Sequence, residues 1–410
     1  MEQNCIIDNR HSLKTYQLKF KIGVGGLKIT ERHRRLVNQV LNSGRLSCGP
    51  MVERFESSFA KLHDCRFAVF CNSGTSALHI ALAALKEKRG WNDGDEVLVP
   101  AVTFVATSNI VLHNRMRPVF VDVDPKTYNI DPAGIPLRLT RRTRAVIPAH
   151  LCGLPCDMSP IMDIARRRGL SVIEDSCETM LARDQGRSVG SFGEIGCFST
   201  YIAHLLVTGV GGLALTNDSK TAVLLRSLMN HGRDSIYIKM DDDRGLRGKK
   251  LHELVAQRFS FVRLGHSFRA TEIEGALGLA ELSLVEERIK RRRKNAHFLL
   301  KELAEFSGRL QLPETPPERE HVYMMFPLAL RHESKTRLVR FLEDNLIETR
   351  DLLPLLNQPV YRKLFGPLIE RYPVARWLGR SGFYIGCHPY LRPADLGYIV
   401  EKFRKFFRTH

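Results

Sequence analysis

Between Phe67 and Thr216 the sequence alternates short apolar runs with segments of helical spacing, and that alternation restricts the fold more than any other feature. The runs are Phe67-Ala-Val-Phe-Cys71, Val97-Leu-Val99, Pro118-Val-Phe-Val-Asp122, Ala145-Val-Ile147, Leu170-Ser-Val-Ile173, Gly196-Cys-Phe198 and Leu213-Ala-Leu215. Most are separated by stretches such as Ala106 to Leu112 and Pro160 to Arg168, where apolar residues recur at three- and four-residue intervals. Strand and helix repeated in this way predict an α/β domain with a mostly parallel sheet, and such sheets place ligands at the carboxyl ends of their strands.

Two amphipathic helices are expected ahead of this region, over Ile29 to Leu41 and Val52 to Leu62, separated by Gly44 and Gly49-Pro50. Behind it, a helix from Thr221 to Asn230 leads to His231-Gly-Arg-Asp234 and a charged stretch, Met240 to Lys250, read as a mobile loop. Thr271 to Arg293 reads as one long helix leaving the large domain. The strand Val322 to Leu330, the helix Lys335 to Asn345 and the remaining residues then suggest a compact α+β domain. The expected division is an N-terminal extension (1–28), a large domain (29–270), and a linking helix with a small domain (271–410).

Composition narrows the function. With 43% hydrophobic and 26% charged residues over 410, the chain reads as a soluble globular protein. No apolar run is long enough to span a bilayer, and the start Met-Glu-Gln-Asn-Cys-Ile-Ile-Asp lacks a basic region followed by a hydrophobic one, so a cytoplasmic protein is expected. Nine scattered cysteines predict reduced thiols, with the close pair Cys152 and Cys156 read as structural. The net charge of +18 raises nucleic-acid binding, but Arg166-Arg167-Arg168 and Arg291-Arg292-Arg293 fall in helical patterns without interleaved aromatics. They are read as solvated helix faces, and the surplus charge would instead concentrate a dianionic substrate near the protein.

Three places invite chemistry. Asn72-Ser-Gly-Thr-Ser-Ala77 lies between a strand and a helix, where backbone amides and hydroxyls either receive an anion or merely cap the helix. Asp175 follows a strand end and is either a cap or a site acid. Gly196 to Gly212 holds one imidazole, His204, ahead of a glycine cluster, and reads either as a hairpin with an internal histidine or as a ligand site.

Taken together, Ser47-Cys-Gly-Pro50, Asn72-Ser-Gly-Thr-Ser-Ala-Leu78, Gly94-Asp-Glu-Val-Leu-Val-Pro-Ala101, Thr103-Phe-Val-Ala-Thr107, Glu174-Asp175, Gly190-Ser-Phe-Gly193 and Phe268-Arg-Ala-Thr-Glu-Ile273 decide among these readings. From about Ile29 to the C-terminus the chain resembles the sugar aminotransferase family named for DegT, DnrJ, EryC1 and StrS. That resemblance implies the aspartate aminotransferase fold, a large α/β domain with a smaller C-terminal α+β domain, and a pyridoxal 5'-phosphate or pyridoxamine 5'-phosphate cofactor. It implies that Asp175 pairs with the ring nitrogen, that Gly74, Thr75 and Ser199 receive the phosphate, that Phe104 stacks on the ring, and that Glu178 lies near the cofactor hydroxyl. Ser267 matches an asparagine that reaches the neighbouring subunit's cofactor phosphate. A homodimer, a nucleotide-sugar substrate and glutamate as amino donor are implied with it, and no metal.

One departure redirects the expected chemistry. At the position of the lysine that holds the cofactor covalently, five residues after Ser199, stands His204. An imidazole forms no such link but carries protons near neutral pH. The exchange resembles a branch of the family, the 3-dehydratases of nucleotide-linked 4-keto-6-deoxyhexoses, as do Tyr201-Ile-Ala-His204, Glu174-Asp-Ser-Cys-Glu178 and Phe383-Tyr-Ile-Gly386. The self-sufficient, glutamate-recharged variety is implied, because no cysteine spacing suits an iron–sulfur cluster. Val210 for the family's glutamate, Leu205 for a histidine and Gly265-His266-Ser267 for Gly-Tyr-Asn depart from the pattern. A non-catalytic or regulatory member that has lost the lysine is therefore the alternative. Arg350 reads either as a contact for a substrate phosphate or as the partner of a surface carboxylate.

Overall fold

A computed structural model of the protein describes residues 21–233, 245–257, 259–352 and 355–409. Most of the expected N-terminal extension, residues 1–20, and part of the stretch read as a loop, residues 240–244, lie outside the described residues, as does Asp234.

Helices α1 (Glu31–Ser43) and α2 (Pro50–Leu62) precede an alternating series: β1 (Phe67–Cys71), α3 (Gly74–Arg89), β2 (Glu96–Pro100), α4 (Val105–His113), β3 (Arg117–Val121), β4 (Thr143–Val146), α5 (Met158–Arg168) and β5 (Ser171–Asp175). A two-stranded hairpin follows, β6 (Arg183–Asp184) and β7 (Arg187–Ser188), and then β8 (Ile195–Ser199), β9 (Gly212–Thr216) and α6 (Ser219–Met229). Seven strands form one sheet in the order β1-β9-β8-β5-β4-β2-β3. Only β9 is reversed, pairing antiparallel with both β1 and β8, so the carboxyl ends of the other six strands share one edge. Strands β2, β5, β8 and β9 are buried along their whole length, as the unbroken apolar runs require for a sheet covered on both faces.

The later chain supplies α7 (Gly248–Gln257), α8 (Glu272–Leu282), α9 (Val285–Leu303), β10 (Leu310–Gln311), β11 (Phe326–Leu330), α10 (Lys335–Asp344), β12 (Thr349–Asp351), α11 (Pro359–Phe365), α12 (Pro373–Ser381), β13 (Gly382–Ile385) and α13 (Pro393–Thr409). Its strands form a second, antiparallel sheet in the order β10-β11-β13-β12. Leu299 of α9, Leu338 of α10 and Phe403 of α13 close a separate core on that sheet. The architecture is thus α/β, with a large, mostly parallel sheet and a smaller C-terminal α+β part.

Three expectations need correction. The single helix Thr271 to Arg293 is two helices. Ser283 breaks it by donating its hydroxyl to the Ala280 carbonyl (2.7 Å), a bond that competes with helix continuation, and α9 then runs on to Leu303. The strand expected from Val322 begins only at Phe326, because the Val322 and Met324 amides donate to the carbonyls of Gly153 (2.8 Å) and Cys152 (3.1 Å) instead of to a strand. Arg292 is no solvated residue. It is 2% exposed, and its guanidinium donates to the carbonyls of Tyr323 (3.2 Å) and Met324 (2.7 Å), while Arg166, Arg167 and Arg168 are exposed as expected.

Long-range contacts fix the helices around the sheet. Helix α2 starts at Gly49, which has no side chain to cap it, and the buried carboxylate of Glu272 takes that role by accepting from the amides of Gly49 (3.1 Å), Met51 (2.8 Å) and Val52 (2.9 Å). At the other end of α8, buried Glu281 accepts from His33 Nε2 (2.7 Å) and from Arg288.

Candidate active site

Five parallel strands, β1, β2, β4, β5 and β8, end on one cavity of about 380 Å³. Past β1, the Ser73 hydroxyl caps α3 by accepting from the Ser76 amide (3.0 Å), and the Gly74 and Thr75 amides at the helix start have no acceptor among the described residues. Two unpaired amides at a helix N-terminus are a place for an anion. The cradle is tight. A Cβ at Gly74 would lie 2.8 Å from both Cys177 Sγ and Ser199 Cβ, and one at Gly212 would lie 2.3 Å from the Gly74 nitrogen. Glycine at both positions lets the backbone approach.

Past β5, Asp175 faces the cavity with both oxygens engaged. Oδ2 accepts from the Thr107 hydroxyl (2.7 Å), itself bonded to Thr103 (2.8 Å), and Oδ1 accepts from the Cys177 amide (3.2 Å). Neutral donors hold this carboxylate without cancelling its charge, which leaves it able to pair with a cationic ring nitrogen. Glu174, one residue earlier, points the other way into the core. It accepts from the amides of Gly190 and Gly193 (both 2.7 Å) and from His150 Nε2 (3.1 Å), so it is structural.

Past β8, the chain loops out and returns into β9. The Thr208 amide donates to the Thr200 carbonyl (2.9 Å) and the two hydroxyls meet at 2.5 Å, closing the loop at its base. His204 sits between these residues, with Nδ1 3.2 Å from the Ser199 carbonyl oxygen. A carbonyl oxygen only accepts, so Nδ1 carries the proton and Nε2 bears the lone pair. Burial pushes the imidazole down to about 4, against the Ser199 carbonyl and helped by the Arg292 charge. The ring is therefore neutral at physiological pH, with a base on its free nitrogen.

Glu178 also lines the cavity. Its Oε2 accepts from the Cys152 amide (2.9 Å), and burial pushes its carboxyl up to about 7, the Asp175 charge adding to the shift. Phe104, 56% exposed at the start of α4, presents its ring to the same space. Gly74, Thr75, Phe104, Asp175, Glu178, Ser199 and His204, drawn from well-separated parts of the sequence, are thus brought together. Ser267 is not. It pairs with Asn230 in an isolated bridge, and its hydroxyl accepts from Arg269 (3.0 Å). Arg350 does not line the cavity either, and its guanidinium is held by Glu348. Val210 lines it half exposed.

Met324 and Met325 carried no signal in the sequence, and Tyr384 stood in a recognised motif without a role; the three close the cavity from the second sheet and the segment leading into it. Thr103 and Thr107 stood in a recognised motif, but their bond to Asp175 needed the fold.

Residues 27–404 match the DegT/DnrJ/EryC1/StrS aminotransferase family. The chain belongs to this family. Among its relatives, GDP-perosamine synthase of Caulobacter vibrioides is 32% identical over 93% of this chain and 96% of that protein. The dTDP-4-dehydro-2,6-dideoxy-D-glucose 3-dehydratase of Saccharopolyspora spinosa is 31% identical over 88% and 81%. The Escherichia coli GDP-4-keto-6-deoxy-D-mannose-3-dehydratase, solved with bound hydrated pyridoxal phosphate, superposes with a TM-score of 0.84 at 26% identity, over 93% of this chain and 99% of that one. A GDP-4-keto-6-deoxymannose-3-dehydratase has also been solved with a trapped pyridoxal phosphate–glutamate geminal diamine, and as a variant with a histidine replaced by asparagine and GDP-perosamine bound. The family therefore holds both 3-dehydratases and perosamine synthases.

Proposed function

We propose that the protein is a pyridoxal phosphate/pyridoxamine phosphate-dependent 3-dehydratase that removes the C3 hydroxyl of a nucleotide-linked 4-keto-6-deoxyhexose. The observation that carries this reading is His204, fixed by Ser199 with its unprotonated Nε2 available, where the family's aminotransferases use lysine. The residues present fit the cofactor: the Gly74 and Thr75 amides with the Ser199 hydroxyl for the phosphate, Phe104 for the ring face, Asp175 for the ring nitrogen and Glu178 for the ring hydroxyl. Bound there as pyridoxamine phosphate, the cofactor would supply an amine for the sugar's C4 ketone and a protonated ring to accept electrons.

His204 Nε2 would take the proton from the cofactor carbon that bears the amine and pass it to the C3 hydroxyl, which would leave as water. Asp175 keeps the ring nitrogen positive. Glutamate, which the solved dehydratase captures on its own cofactor, serves as amino donor for the next turnover. A cytoplasmic homodimer belongs to the same reading. Phe104, Tyr201 and Val210 leave an exposed apolar rim at the cavity, and Ser267 lies outside its own chain's cavity, as a residue serving a second copy's site would.

Val210 favours a second reading, a member that binds without catalysis, since a half-exposed valine at the cavity has no chemical use. The engaged Asp175 and the open α3 amides favour the enzyme. Mass spectrometry of the product made from GDP-4-keto-6-deoxymannose with glutamate separates them. Dehydration gives a 3-deoxy-4-keto sugar lacking one oxygen, transamination gives an amino sugar, and a non-catalytic member gives neither.

A further inference from the structure

Asp175, Glu178 and His204 face the cavity, yet no lysine or arginine lines it among the described residues. An oxyanion on a ligand entering there would meet two carboxyl groups and no cation. One cation stands at its edge. Arg350 on β12 is the direct partner of Tyr384 on β13, and Tyr384 lines the cavity. Residues directly opposite on paired strands share a face, so the stem of Arg350 follows Tyr384 toward the cavity side of the sheet.

The guanidinium is occupied internally. It donates to Glu348 Oε1 and to the Thr349 carbonyl (2.8 Å), while Glu348 Oε2 accepts from the Val24 amide (2.9 Å). Arg350 is half exposed at its side chain, 52%, against 17% for Glu348. The carboxylate is therefore the fixed partner and the arginine the one free to turn. Glu348 has the charge and planar shape of the group an arginine fork binds from a ligand.

We infer that Arg350 anchors the incoming ligand by exchanging Glu348 for one of its oxyanions, the carboxylate of the amino donor or the diphosphate of the nucleotide sugar. The identity of these two ligands rests on the function proposed above, whereas the exchange itself rests on the pairing of Arg350 with Glu348 beside Tyr384. Glu348→Gln removes the competing charge but keeps an oxygen for the Val24 amide. It should therefore act opposite to Arg350→Gln.

Isothermal titration calorimetry on the purified full-length protein tests this, with L-glutamate and GDP as separate probes. Arg350→Gln should weaken binding of one probe by about tenfold or more, and Glu348→Gln should tighten binding of that same probe by about threefold. A response with glutamate assigns the carboxylate, and a response with GDP assigns the diphosphate. If neither probe responds, or if both variants shift the same way as a merely structural pair would, the inference is overturned. Arg350→Lys, which keeps charge but loses the fork, should give an intermediate affinity and serves if Arg350→Gln fails to fold. Because binding is read without turnover, a wrong reaction assignment leaves these outcomes interpretable.

Discussion

His204 Nδ1 lies 3.2 Å from the carbonyl oxygen of Ser199, the residue that ends β8 and faces the cavity. This one bond sets both the tautomer and the direction of the free nitrogen. With the imidazole pushed down to about 4 by burial, the ring should stay uncharged from about pH 5.5 upward, whereas a free histidine titrates near about 6.5. An NMR titration of the labelled His204 ring should show no midpoint between those values. The sign for stability follows. The folded pKa is below the unfolded one, so the unfolded state binds the extra proton first, and the His204 contribution is lost as pH falls from about 6.5 toward 4.

Glu178 should behave in the opposite sense. Its carboxyl is raised to about 7, so the folded state retains a proton that the unfolded state gives up, and stability is lost as pH rises from the ordinary carboxylate range through 7. Glu178→Gln should stabilise the protein by about 1–3 kcal/mol at pH near 8 and leave it little changed near pH 4.5. Thermal unfolding at the two pH values checks this. Equal shifts at both would show that the carboxyl does not hold a proton.

Gly74 tests the anion cradle. A methyl group there would press on Cys177 Sγ and Ser199 Cβ, both at 2.8 Å, and one of them must move. Gly74→Ala should weaken cofactor binding by about tenfold or more, read by absorbance titration with pyridoxal phosphate. Binding as tight as in the unaltered protein would place the phosphate elsewhere.

The large sheet was legible because strands buried on both faces must be apolar throughout, and the helices between them keep their own spacing. The runs at Phe67, Val97 and Leu213 all became strands at nearly the expected positions. What sequence could not show depended on contacts between distant residues. Ser283 interrupts a helix through a side-chain bond that its neighbours do not announce, and Arg292 is buried because two carbonyls some thirty residues later receive it. The site divides the same way. Asp175, Ser199 and His204 sit at or just beyond strand ends, where a parallel sheet places its ligands, while Tyr384 and Met324 reach the cavity only through the docking of the second sheet. Of the two readings left open for Arg350, the pairing with a carboxylate is seen, with Glu348, and the contact with a ligand oxyanion is the exchange proposed above.

Glu272 tests the packing of α8 against α2. Its buried carboxylate accepts from three amides at the start of α2, so Glu272→Ala should leave them unsatisfied and cost about 2–4 kcal/mol in urea unfolding. The loss should appear in stability and not in the affinity for pyridoxal phosphate. A cost below about 0.5 kcal/mol would mean that water replaces the carboxylate without penalty.

In the proposed reaction His204 moves the proton. The most direct test of this step is ammonia release from GDP-4-keto-6-deoxymannose and glutamate, with the cofactor bound, compared between the unaltered protein and His204→Asn, which keeps a polar side chain but offers no base. Ammonia is expected from the first, and a rate lower by about 10²–10⁴-fold from the second, the usual contribution of a positioned acid–base group. Equal rates in the two proteins, or no ammonia from either while both hold the cofactor, would contradict it.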